Sequence, residues 1–141
     1  MSYSRASQMA AYQSAAAHGG VAASDPHGLV VMLMDGALER IATARGCMQR
    51  GETAEKARLI NRTVSIVGEL RGSLDLAAGG QIAANLSELY DYMCRRLLTA
   101  TSENRPELLD EVAHLLHEIR SAWVAIPQQL RAQPSMASIA S

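Results

Sequence analysis

Phenylalanine is absent from this chain and tryptophan occurs once, so aromatic residues make up only 4% of it. Ala, Leu, Met and Ile must therefore fill the interior, which favours closely packed helices over a sandwich core. Clustered cations are missing as well. A net charge of −1 with no basic block argues against nucleic acid as a partner, because phosphate binding draws on grouped Lys and Arg. Cys47 and Cys94 are the only cysteines and form no C-x-x-C pair, so both read as reduced, buried small hydrophobes in a cytoplasmic protein. The longest run of large apolar residues, Leu29 to Met34, is far short of a membrane span. The N-terminus shows no basic stretch followed by an apolar core, so neither a signal peptide nor membrane insertion is expected.

What is present is helical. Residues 1–24 are rich in Ser and Ala and are expected to form a mobile arm or a short helix carrying Tyr3, Met9, Tyr12 and Val21. Ser24-Asp25-Pro26 then signals a helix start, a capping acid followed by Pro at the first helical position. This first helix is expected to end at Gly51, with a core stripe of Val30, Leu33, Ala37, Ile41, Ala44 and Met48. Val31, Met34 and Leu38 make a second stripe beside it, more apolar surface than one helix needs, serving either extra packing or a partner. A second helix is predicted from about Thr53 to Ala78. Gly68 and Gly72 lie four apart on one of its faces, each costing about 1 kcal/mol relative to Ala, and would let a neighbouring backbone or a bound peptide come close. Arg71 is placed to reach Asp75 at i+4.

Gly79-Gly80 is expected to divide this helix from a third, whose core stripe would be Ile82, Leu86, Leu89, Met93, Leu97 and Ala100. Tyr90 and Tyr92 fall roughly 80–90° off that stripe on opposite sides, either as boundary packing or as ligand contacts. Asn104-Arg105-Pro106-Glu107 resembles a capping box with Asn104 as the cap of a fourth helix. That helix carries Leu108, Val112, Leu115, Leu116, Ile119, Trp123 and Ile126, and Pro127 stops it. Four helices of about 35 Å with short loops predict an all-α, antiparallel up-down-up-down four-helix bundle over residues 25–126. Residues 127–141 are expected to be a disordered tail.

Chemistry is sparse. A Glu-x-x-His spacing occurs once, Glu111 to His114, off the apolar stripe, and no second copy exists for a di-metal centre. His114 and His117 are expected on a solvated face, leaving a metal-binding or histidine phosphotransfer bundle as the rival function. No nucleophile, base and orienting acid can be assembled, so no enzyme and no cofactor are expected. A structural homo-oligomer, down to a simple homodimer, is a third reading. The surplus apolar surface suits a binder of amphipathic segments.

Five motifs in order carry a more specific signal. They are Tyr12 with Val21-Ala22-Ala23-Ser24-Asp25-Pro26, Leu33-Met34-Asp35-Gly36-Ala37-Leu38, Gly79-Gly80-Gln81-Ile82-Ala83-Ala84-Asn85-Leu86, Leu89-Tyr90-Asp91-Tyr92-Met93, and Ile119-Arg120-Ser121-Ala122-Trp123. With them the chain resembles the flagellar export chaperone family FliS across nearly the whole bundle. The resemblance implies a cytoplasmic chaperone that binds the C-terminal region of flagellin, prevents premature polymerisation and delivers it to the export gate of the flagellar type III apparatus. It implies a flagellin-binding surface, placed here on Tyr12, Val31, Met34, Leu38, Gly68, Gly72, Leu86, Tyr90 and Tyr92. Two departures stand out. Met34 replaces the Tyr usual in the family, and the linker from Tyr12 to Val21 is longer than the family pattern.

Overall fold

The computed structural model describes residues 25–127, so the expectations for the N-terminal arm, Tyr12 included, and for most of the C-terminal tail lie outside the described residues. Four helices follow one another: α1 (Pro26–Gln49), α2 (Thr53–Gly72), α3 (Leu76–Glu103) and α4 (Pro106–Val124). Each packs on the next and α4 returns to α1, which closes the ring of an antiparallel four-helix bundle. The fold class is as the periodicity predicts.

Local signals set most of the ends. Asp25 caps α1 by accepting a hydrogen bond from the His27 amide (3.0 Å), with Pro26 in the first turn. Gly51 takes φ +71°, the left-handed conformation that suits glycine, and turns the chain into α2. Two expected boundaries differ. α2 ends at Gly72, not Ala78, and Asp75 caps the following helix through the Ala78 amide. Gly79-Gly80 therefore stands inside α3 as a kink, where Gly80 adopts φ 55°, ψ −135°. A methyl group on Gly79 would come within 2.5 Å of the Ala83 side chain, so both glycines are required there. Asn104 does not cap α4. It closes α3 in the left-handed conformation, and Arg105 occupies the cap position of α4 without a side-chain bond.

The core is aliphatic: Met34, Ala37, Ile41 and Ala44 from α1, Ile60, Val67 and Leu70 from α2, Met93 and Leu97 from α3, and Leu109, Val112 and Leu116 from α4. Its composition corrects two faces. On α1 the stripe is rotated, so Met34 (0% exposed) and Cys47 are buried while Leu33 and Met48 are half-buried. On α3 Tyr90 (3% exposed) belongs to the core, and Ile82 (70% exposed) does not. After the kink the buried stripe runs through Ala83, Tyr90, Met93, Leu97 and Ala100, and Ile82, one position before Ala83, falls outside it. Arg71 reaches across to α3, donating to Ser87 Oγ (2.9 Å) beside Asp91, and does not pair with Asp75.

Lys56 is nearly buried (4% exposed), an unexpected place for a charged group. Its ammonium donates to the Thr101 carbonyl (3.0 Å) and to Asn104 Oδ1 (2.7 Å) at the C-terminus of α3. A cation there satisfies a terminal carbonyl and meets the negative end of the helix dipole.

Candidate functional site

The first half of α1 is apolar on every side. From Gly28 to Leu33 each residue is half-buried, and Met34 is fully buried. A helix apolar all round belongs in an interior, yet among the described residues α1 packs mainly on two neighbours, α2 and α4. Val31, Asp35, Leu38 and Arg45 share one flank by helical spacing. Asp35 pairs with Arg120 and Arg45 with Asp110 (2.7 Å), so this flank faces α4. Val31 and Leu38 thus line the α1/α4 seam, Leu38 between the two ion pairs and Val31 one turn before the first.

The other expected site residues do not join them. Met34 and Tyr90 are core side chains and offer no surface. Burial alone pushes the Tyr90 phenol up to about 12. Gly68 lies with Val64 and Arg71 on the flank of α2 that faces α3, where Cys94 Sγ approaches the Val64 carbonyl (3.8 Å). A methyl group added at Gly68 or Gly72 would meet no described atom within 4 Å, so no described neighbour uses the room they leave. Leu86 is half-buried against the core. Tyr92 sits on the α3/α4 seam, its hydroxyl donating to Glu111 Oε2 (2.6 Å). Arg96 donates to the other carboxylate oxygen (2.8 Å), and the guanidinium carbons of Arg95 and Arg96 lie 5.9 and 5.6 Å from the Tyr92 ring centre. The two donors hold the Glu111 carboxyl below the usual carboxylate range, and the same bond raises the Tyr92 phenol. The proposed surface is therefore spread over three seams.

Glu111 was expected to face water and is instead held by Tyr92 and Arg96, which removes it from any ligand set with His114. His114 pairs with Glu118 (3.1 Å), and no group of three or more His, Cys, Asp or Glu among the described residues is placed to hold a metal ion. Burial raises both thiols, Cys47 and Cys94, which disfavours the reactive thiolate. No described helix is long and apolar enough to cross a membrane.

Periodicity missed the end of the bundle where α1 begins and α4 finishes. There His27 Nε2–H donates to the Trp123 carbonyl (2.6 Å), and the Trp123 indole N–H donates to the His27 carbonyl (3.0 Å). The two rings stack with centres 5.0 Å apart and planes 10° apart. A carbonyl can only accept, so Nε2 carries the hydrogen. Leu76 (57% exposed) and Ile82 are the most exposed large apolar side chains described, and both flank the α3 kink at this same end. The antiparallel order could have brought His27 and Trp123 together on paper, since the first turn of α1 must meet the last turn of α4.

Comparison with known proteins agrees with this architecture. The family model described as "Flagellar protein FliS" matches residues 8–130. The flagellar secretion chaperone FliSB of Pseudomonas aeruginosa is 45% identical over 118 residues, covering 84% of this chain and 94% of that protein. The flagellar secretion chaperone FliS of Salmonella typhimurium is 38% identical over 131 residues, 92% of this chain and 97% of that protein. That of Vibrio cholerae is 37% identical over 119 residues, 84% and 88% respectively. A match of this extent, on a four-helix bundle with a surplus of apolar surface, makes the chain a member of the FliS family.

Proposed function

We propose that this protein is a cytoplasmic flagellar secretion chaperone that binds the C-terminal region of flagellin, keeps it from polymerising and passes it to the flagellar export gate. The observation that carries the physical side of this reading is the all-round apolar first half of α1. Val31 and Leu38 on the α1/α4 seam, the open space at Gly68 and Gly72, and Tyr92 on the α3/α4 seam suit a segment wound around several seams better than one lodged in a single groove. Coupled folding of such a segment buries about 1,000–3,000 Å² and needs neither metal nor catalysis. The protein acts as a binder and not as an enzyme.

Titration of the full chain with a flagellin C-terminal peptide tests this directly. Saturable binding is expected, and Val31→Asp with Leu38→Asp should weaken it at least about 100-fold, roughly 2.7 kcal/mol, with helical circular dichroism retained. No binding by the unaltered chain would end the proposal. Mass in solution with and without the peptide separates it from a self-complementary homodimer, in which the same surface would already be occupied.

A further inference from the structure

The last two turns of α4 are held differently from the rest of that helix. Every fully buried α4 residue, namely Leu108, Leu109, Val112 and Leu116, lies at or before Leu116. Beyond it Ile119 and Trp123 are half-buried, while Ser121, Ala122 and Val124 are exposed. Polar contacts tie this stretch to α1: Arg120 to the Asp35 carboxylate, and the reciprocal His27–Trp123 bonds with their ring stack. Facing it are the apolar first turns of α1, where Val31 lies on the same flank between His27 and Asp35.

We propose that residues 117–124 form a displaceable strap, latched by the His27–Trp123 clasp, that opens as a local unit and uncovers the apolar first turns of α1 to an amphipathic helix from a partner. A segment in which no side chain is fully buried opens at lower free energy than the core it rests on. Hydrogen bonds and exposed ion pairs contribute modestly once exchange with water is counted, so the clasp, together with the Arg120–Asp35 pair, can close the strap and still yield. A partner that binds only the open form sees its affinity reduced by the open fraction, so loosening the clasp raises apparent affinity. The identity of that partner rests on the flagellin reading; the strap itself does not.

Two measurements on the full chain test this, with His27→Ala as the main variant. Trp123→Phe, which keeps an apolar ring but loses the indole donor, is the second. By amide exchange, His27→Ala should speed residues 119–124 about tenfold and leave 108–116 unchanged, and Trp123→Phe should do the same. The single tryptophan also reports the strap, and its emission should move to the red in His27→Ala. Equal acceleration along all of α4, or none, would overturn the strap. On adding the flagellin C-terminal peptide, a red shift of Trp123 and about tenfold tighter binding by His27→Ala would support it. Binding that leaves Trp123 unmoved, with equal affinity for both proteins, sinks the strap and leaves the flagellin reading intact. A peptide that fails to bind the unaltered chain sinks the flagellin reading, and amide exchange then decides the strap alone.

Discussion

The two ends of the bundle solve the same problem in opposite ways. At the end formed by the α1–α2 and α3–α4 turns, polar groups close the structure. Lys56 is buried against the Thr101 carbonyl and Asn104, Gly51 and Asn104 take left-handed turns, and Arg50 donates to both Glu52 carboxylate oxygens (2.9 and 3.0 Å). At the other end Leu76 and Ile82 flank a glycine kink and stand in solvent, and a histidine–tryptophan clasp joins α1 to α4. We refer to the first end as the base and, on the proposed reading, to the second as the working face. Side chains that must stay put are satisfied internally, and those left apolar in water are available to a partner.

Four substitutions would break or sharpen that contrast. The largest effect is expected at Met34, which is fully buried between the two ends. Met34→Asp places a carboxylate among aliphatic side chains and should cost more than about 4 kcal/mol, seen as lost helical signal or a collapsed denaturation midpoint. A folded, stable variant would mean that Met34 is surface after all. Next comes Lys56→Met at the base, which keeps the stem but strips donors from Thr101 and Asn104; urea unfolding should show a loss of about 1–3 kcal/mol. If Lys56 can be replaced without loss, the base is not closed by its polar contacts.

Ile82→Ser at the working face should change stability by no more than about 0.5 kcal/mol, because the side chain is already in water. A loss comparable with that of Lys56→Met would show that something covers Ile82 and would erase the difference between the ends. The smallest effect is confined to acid. Glu111 has its folded-state pKa lowered by Tyr92 and Arg96, so its contribution is present above the unfolded value near about 4.3 and is lost as pH falls through the folded one. Glu111→Gln should therefore flatten the acid limb of a plot of thermal midpoint against pH. An unchanged limb would leave the Tyr92–Glu111–Arg96 cluster without a stabilising role.

Some of these contrasts were legible in advance and some were not. Asp25-Pro26 and Gly51 are read correctly from sequence because a cap or a left-handed turn is settled by a few adjacent residues. Asn104 is ambiguous in sequence because the same residue type suits the end of one helix and the start of the next. Lys56, 48 residues away, is a long-range partner of its side chain in the folded chain. Gly79-Gly80 does interrupt the helical path, but inside α3 and not between two helices, since Asp75 already starts a new helix before it. Of the expected site, Val31, Leu38, Gly68 and Tyr92 lie on seams, whereas Met34 and Tyr90 are inside.

The sequence by itself determined the helical class, the number of helices, their antiparallel order and the family, because each follows from local spacing or from motifs in order. Tertiary structure decided which way each helix turns. With two apolar stripes side by side on α1, periodicity has no means to choose between Leu33 and Met34; the positions of α2 and α4 choose, and they take Met34. It also decided that His27 and Trp123, 96 positions apart, form one clasp, since contact between the chain's distant ends exists only after the bundle has closed.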